Sequence, residues 1–308
     1  MRSIIVLIVF ISSGFPIAAI AQAQNDLTQQ KLAGKVKSLT ETTYNVKRVH
    51  GKQEEFLTGK NGYSYNEHGY KTDESAYSAD GTLDTRSVFT YDDNGLLVQE
   101  DSYNPDGSKG FTNIYKYDKK GNIISVKLYD TKGGLFLRTV SEYDDNNNET
   151  AETNYTMVLE KDKHKDMVLN KTTWRYDDKG NMVEELYYES DSAVTRATTY
   201  MYDANGNKVV QNKSESGTSL KTTYKYDNKG KQTEETQYDA ASNIVVKITC
   251  TYDDKGNETG ESYYDKDNSM QTNTVFQISY DNNGNWTRKV QVDNEKTTTI
   301  TVREITYY

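Results

Sequence analysis

Tyr202-Asp203-Ala204-Asn205-Gly206-Asn207 is one copy of the pattern that decides how this chain folds. Tyr-Asp-x-x-Gly recurs from Tyr91, Tyr117, Tyr176, Tyr226, Tyr252 and Tyr280, and degenerate copies start at Tyr65 and Tyr143. Successive starts lie 26, 26, 26, 33, 26, 24, 26 and 28 residues apart. Self-similarity at a fixed period marks a repeat architecture. Asp, Asn or Ser at the first turn position and Gly at the fourth describe a type I turn followed by a left-handed Gly that forms a bulge. In the copy at Tyr143 the fourth position is Asn147, the next-best residue for positive φ.

A second turn falls halfway through each unit. Tyr77-Ser78-Ala79-Asp80-Gly81, Tyr103-Asn104-Pro105-Asp106-Gly107 and Tyr129-Asp130-Thr131-Lys132-Gly133 each begin 12 residues after a motif Tyr. Pro105 sits where a turn wants φ near −65°. Between turns, apolar residues alternate with polar ones, as in Ile124-Ser125-Val126-Lys127-Leu128. Two residues before the motif Tyr stand Tyr63, Phe89, Tyr115, Trp174, Tyr200, Tyr224, Cys250 and Ile278, sharing a strand face with the Tyr itself. Each unit is therefore a β-hairpin, and nine units predict about 18–20 strands.

Composition alone points the other way. Leu, Ile, Val and Phe number 57 of 308 residues, and the net charge is −9, values typical of disordered chains. Tyr resolves the conflict, because the chain has 26 of them and those that recur in register supply apolar area that aliphatics do not. One Cys excludes an intrachain disulfide framework and a Cys-based zinc site. The acidic balance argues against nucleic acid, and the mean hydropathy of −0.90 against a multi-span membrane protein.

The N-terminus reads as an export signal. Met1-Arg2 precedes an apolar run from Ile4 to Ile20, and Ala21-Gln22-Ala23 fits the small-x-small cleavage rule. The expected organisation is a signal peptide over 1–23, a capping hairpin over 24–62, the repeat array over 63–292 and a capping strand over 293–308. About twenty strands in one flat sheet exceed what open sheets tolerate, so the expected form is an elongated all-β antiparallel hairpin array, coiled as an open sheet or β-spiral. The expected location is secreted: periplasm, outer surface or extracellular, with no membrane span after cleavage.

The recurring Tyr-Asp-x-x-Gly-Asn, with a partner Tyr twelve residues on, resembles the YD-repeat (RHS-repeat) family, most of all its short secreted Bacteroidetes-type forms. The resemblance covers about residues 63 to 292. It implies an all-β wrapped sheet, an extracellular location, and an association with carbohydrate binding or with housing a toxin. No Pro-rich signature closes the array here, so the toxin-housing role is not carried over.

Chemistry is sparse. His50, His68 and His164 lie apart, and no nucleophile elbow, zinc-protease helix motif or phosphate loop is present. Glu100, Glu152, Glu185, Glu235 and Glu261 recur nine residues after the motif Tyr, a column read here as a solvated face. Asp-rich turns are explained by turn chemistry without calcium. Cys250 occupies an aromatic column and reads as a buried filler. No catalytic residue, metal or cofactor is expected. The candidate ligand-binding residues are Trp174, Tyr176, Tyr200, Tyr202, Tyr224 and Tyr226 of the stripe. To these are added Lys161, His164 and Lys165, from the insertion over 156–172. The expected function is a secreted, non-enzymatic interaction or structural module whose partner is a protein or a glycan at the cell surface. The alternative is a carbohydrate-binding module using exposed aromatics. Mass spectrometry of exported protein should find Gln24 at its N-terminus; a retained Met1 contradicts the export reading.

Overall fold

The computed structural model describes residues 25–160, 163–190 and 193–308; the predicted export segment and Lys161 lie outside them. Twenty strands, β1–β20 in chain order, run antiparallel from β1 (Val36–Val49) and β2 (Lys52–Tyr65) to β20 (Lys296–Tyr307). A single short helix, α1 (Asp26–Gln29), precedes them. Every strand pairs with its neighbours in sequence, so the expected hairpin array holds.

The expected open or spiral sheet does not. β20 pairs with β1 over Val36–Asn45 and Thr299–Tyr307, which closes the array into a barrel. Closure removes both edges of a twenty-stranded sheet, the liability that an open array of this width would carry. At about 4.8 Å between strands and about 40° of tilt, a round barrel of this size is about 40 Å across.

The turns form as their residues dictate. In the Asp92 turn the Gly95 amide donates to the Asp92 carbonyl (3.0 Å), while the Asp92 side chain accepts from the Asn94 and Leu96 amides (2.9 Å each). Gly95 has φ 80° and Asn147 has φ 65°, the left-handed conformation each position was selected for.

A second irregularity follows every motif turn. Tyr91 opposes Leu97 but Thr90 opposes Gln99, so Val98 is an extra residue, a β-bulge. The same slip recurs in all nine units, and the extra residue is Thr72, Val98, Ile124, Thr150, Val183, Val209, Thr233, Thr259 or Thr287. All are β-branched, which suits a residue held stiffly in extended backbone. Several Thr hydroxyls also bond back to the facing strand, as Thr150 Oγ1 does to the Glu142 carbonyl (3.2 Å).

The bulge decides what the motif Tyr does. Leu97 lies one residue before the bulge, and the ladder to the following strand stops at Gln99. The Leu97 carbonyl is left beyond that ladder. Tyr117, the motif Tyr of the next unit, donates its hydroxyl to it at 2.7 Å. The bond repeats as Tyr91 to Lys71, Tyr143 to Ile123, Tyr176 to Glu149, Tyr202 to Met182, Tyr226 to Lys208 and Tyr252 to Gln232, at 2.7–3.0 Å. Burial pushes these phenols up; Tyr117 reaches about 12, so they stay protonated donors at any physiological pH. In the last units the pattern changes: Tyr280 and Tyr307 donate instead to the turn carboxylates of Asp253 and Asp281.

The alternation also sets the two faces of the wall. The residue before the motif Tyr is exposed in all nine units, Lys116, Glu142, Arg175 and Lys225 among them. The residue two before it is half-buried in all nine. The exposed set faces outward, and the aromatic stripe faces the interior. Eight apolar residues are buried among those described, far fewer than a compact core would need. The inward rings remain half-buried, so water reaches the interior, as expected for a barrel wider than the 16–18 strands that already leave a channel.

Tyr202→Phe deletes one rung of the hydroxyl ladder and should lower unfolding free energy by about 1 kcal/mol in urea titration. Tyr263→Phe, at a ring 42% exposed, should change it by no more than a few tenths.

Candidate functional site

The inner wall carries the chemistry. Residues two before the motif Tyr face the Glu column of the next strand: Tyr63 opposes Glu74, Phe89 opposes Glu100, Trp174 opposes Glu185 and Tyr224 opposes Glu235. The result is a set of aromatic–carboxylate rungs, each about 10 Å from the next. The Glu column, expected to be a solvated face, is half-buried except at Glu261. Its carboxylates take bonds from ring donors: Tyr115 Oη to Glu100 (3.1 Å) and Trp174 Nε1 to Glu185 (3.3 Å).

The bulge adds a third member to each rung. Residues three apart on a strand ordinarily point to opposite faces. The extra residue between them turns the sixth and ninth positions after the motif Tyr to the same side. In the first unit these are Lys71 and Glu74, an ion pair at 2.5 Å, with the ammonium 4.7 Å from the Phe89 ring centre and 6.0 Å from that of Tyr63. Lys208 stands likewise between Tyr200 (5.7 Å) and Tyr224 (4.5 Å) and bonds Gln211. The wall thus has its own cation seats between consecutive rings.

Two units depart from this scheme in the same way. Their sixth and ninth positions are both Glu, as Glu149 with Glu152 and Glu258 with Glu261. In both, the facing ring is replaced by a small residue, Ser141 or Cys250. Burial raises Glu149 above the ordinary carboxylate range; the Ser141 hydrogen bond opposes this and the Glu152 charge adds to it. Burial likewise raises Glu258, with the Glu261 charge adding and Lys289 opposing. The Cys250 thiol is also pushed up, by burial first and then by the two carboxylates. Its sulfur and one oxygen from each of Glu258 and Glu261 lie within 4.8 Å of one another. Cys250 itself is half-buried, more open than a sealed filler.

Of the sequence-derived candidates, the structure brings the stripe together and separates it from the insertion. Trp174 and Tyr176 lie on β10 (Lys163–Tyr176), and Tyr200, Tyr202, Tyr224 and Tyr226 lie on the next two even-numbered strands of the same inner face. The hydroxyls of Tyr176, Tyr202 and Tyr226 are consumed by the ladder, and that of Tyr224 bonds Gln211 (3.1 Å). The insertion extends β9 (Glu149–Glu160) and β10 past their neighbours at the opposite end of the barrel. Lys165, paired with Val158, is about 30 Å along β10 from Trp174. His164 pairs with Leu159 further out, and its side chain is not among those described. Beside Trp174 a groove of about 330 Å³ opens between two motif turns, bordered by Arg175, Tyr176, Asn146, Asn148, Asp144 and Asp178.

What sequence reasoning missed is the second bulge, beyond the Gly bulge of the turn, and the rung it builds. The signal was present, since the seventh position after the motif Tyr is β-branched in every unit.

No protein-family model and no curated protein matches this chain. Among solved structures, a TcdB2–TccC3 toxin chain is 12% identical with a TM-score of 0.29; the match covers 82% of this chain and 17% of that one. This chain thus spans about a sixth of the length of that toxin. A porin-like protein from Bacteroides uniformis ATCC 8492 is 12% identical with a TM-score of 0.36, covering 89% of this chain and 99% of that one. A porin-like protein from Bacteroides vulgatus ATCC 8482 is 8% identical with a TM-score of 0.31, covering 89% and 98%. Likenesses at these values assign no function.

The raised carboxyls set a pH dependence. Glu149 and Glu258 bind protons more tightly folded than unfolded, so stability falls as pH rises through their folded values and recovers on acidification. The turn carboxylates act oppositely: hydrogen bonds to Asn207 and Asn181 hold Asp203 and Asp177 low, and their contribution is lost below the ordinary Asp range. Thermal unfolding should therefore give its highest midpoint near the ordinary carboxylate range, at about pH 4 to 4.5, where the Asp contributions are complete and the Glu decline has not begun. The double variant Glu149→Gln, Glu258→Gln should flatten the decline toward neutral pH; an unchanged profile would rule the pair out as its source.

Proposed function

We propose that this chain is an exported, non-enzymatic β-barrel of the YD-repeat type, serving as an interaction or structural module in an aqueous compartment outside the cytoplasm. The observation that carries this reading is the charge on the outer wall, which stands beside the motif turns and, on the same face by register, at mid-strand in Arg86, Lys127 and Arg138. Outward-facing Lys116, Glu142, Arg175 and Lys225 are exposed, and Arg175–Glu184 (3.3 Å) and Lys225–Glu234 (2.7 Å) pair across that face. A barrel that crosses a membrane needs an outward apolar band about 25 Å tall, which these charges interrupt. The inner face carries Glu at the same height, so neither side of the wall is apolar throughout. No helix among the described residues is long and apolar enough to cross a membrane either.

The repeated motif supports a scaffold over an enzyme. Its Tyr hydroxyls and turn carboxylates are bound to backbone, unit after unit, and so serve the wall. Binding then falls to what the wall presents: the water-filled interior, the two rims and the groove beside Trp174. That groove favours the second reading, a glycan-binding module. It sets Trp174 and Tyr176 beside Asn, Asp and Arg residues, the polar partners that sugar hydroxyls use.

The mature chain, residues 24–308, should purify as a soluble species without detergent and leave planar lipid bilayers non-conducting. Stepwise conductance on addition to a bilayer would replace the aqueous reading with a pore. A glycan array run beside it, with Trp174→Ala as control, decides the second reading: binding abolished by the variant supports it, and no binding to any glycan removes it.

A further inference from the structure

We propose that residues 25–35 form a latch that locks the barrel along its β1–β20 seam, and that release of the latch opens the wall sideways into the interior. This goes beyond the proposed function and holds whichever partner the barrel serves.

The seam is the one pairing of neighbouring strands in the ring that no turn closes. Every other neighbouring pair of strands is joined by a turn, whereas β1 and β20 are brought together only at the end of the whole chain. Closing so long a loop carries an entropic cost that no turn offsets. A barrel built this way needs its reinforcement at this one place.

The reinforcement is there. The only cluster of buried apolar residues among those described is Leu27, Leu32, Val36, Leu39 and Tyr65, with Tyr63, Ile305 and Tyr307 packed on it. Two further buried residues, Val290 and Ile300, lie on the last two strands. Elsewhere in the ring the wall holds itself with hydroxyls and rings; at the seam it uses aliphatic burial.

The latch grips both sides. On the first-repeat side, the Leu27 amide donates to the Gly69 carbonyl (3.3 Å) and Asn25 Nδ2 to the His68 carbonyl (2.7 Å). The Lys71 amide donates to Asp26 (2.6 Å), and the Tyr65 hydroxyl to Gln30 (2.6 Å). On the last-repeat side, Asn285 takes the Ala33 amide (2.7 Å) and returns a bond to the Ala33 carbonyl (2.8 Å). One short segment therefore holds units 1 and 9 together across the seam. Below it the strands add Arg303–Glu41 (2.8 Å) and the Ser38–Thr306 hydroxyl pair (2.6 Å).

The latch is also the part able to leave. Its helix has four residues, too short to persist without its contacts, and the latch's bond to the strand ladder is confined to its last residue, where the Tyr308 amide donates to the Lys35 carbonyl (3.0 Å). Peeling it away uncovers the seam and leaves the hairpin turns intact.

Hydrogen–deuterium exchange on the mature chain tests this. Removing residues 25–34 should raise exchange at least tenfold in Leu39–Asn45 and Thr299–Ile305. Segments on the far side of the ring, such as Lys208–Glu215 and Gln232–Tyr238, should stay within twofold. Should that deletion fail to fold, Leu32→Ala with Asn285→Ala should give the same pattern to a lesser degree. A seam disulfide from Thr42→Cys and Val302→Cys, which oppose each other, in a Cys250→Ser background should restore seam protection without the latch. A uniform rise in all strands, no rise at the seam, or no rescue by the disulfide would each overturn the proposal.

Discussion

The bond from a motif Tyr hydroxyl to a carbonyl of the preceding unit, made by seven of the nine motif tyrosines, is the interaction on which the wall depends. A thin barrel cannot stack sheets to bury apolar area, so its units must be fastened laterally. Strand ladders do most of this, yet each ladder is broken by a bulge next to the motif turn. The phenol spans the gap, satisfies a carbonyl that the bulge strands, and lays its ring over the neighbouring unit. Turn, bulge and tyrosine are thus one device, and neither the bulge nor the tyrosine makes sense without the other.

That device explains the composition. Aliphatic content is low because lateral fastening uses rings and hydroxyls, and the aliphatics that remain are concentrated where the chain ends meet. Charge is tolerated on both faces because both are wet. The inner face still shows organisation: Lys71 and Lys208 are seated between consecutive rings, and two units replace cation and ring by a second Glu and a small residue.

The hairpins were legible because their chemistry is local. Asp92 and Gly95 lie three residues apart and shape one turn whatever surrounds them. The shared face of Trp174, Tyr200 and Tyr224 was legible for the same reason, as a period of two. Closure was not, because Glu41 and Arg303 meet only after the small twist of every intervening strand has accumulated. Trp174 and Lys165, named together as candidates, stand about 30 Å apart along β10, a separation that only the strand's length reveals. The second bulge went unread although Thr72, Val98 and Ile124 advertise it, since β-branched residues are unremarkable in strands until their register is known.

The repeat also behaves as a unit of girth. A compact protein that gains 26 residues must rearrange its core, but a ring of hairpins simply accepts two more strands. Each added unit would widen the barrel by about 4 Å. Bore is then a countable property, set by how many copies of Tyr-Asp-x-x-Gly a gene carries, with the terminal lock unchanged.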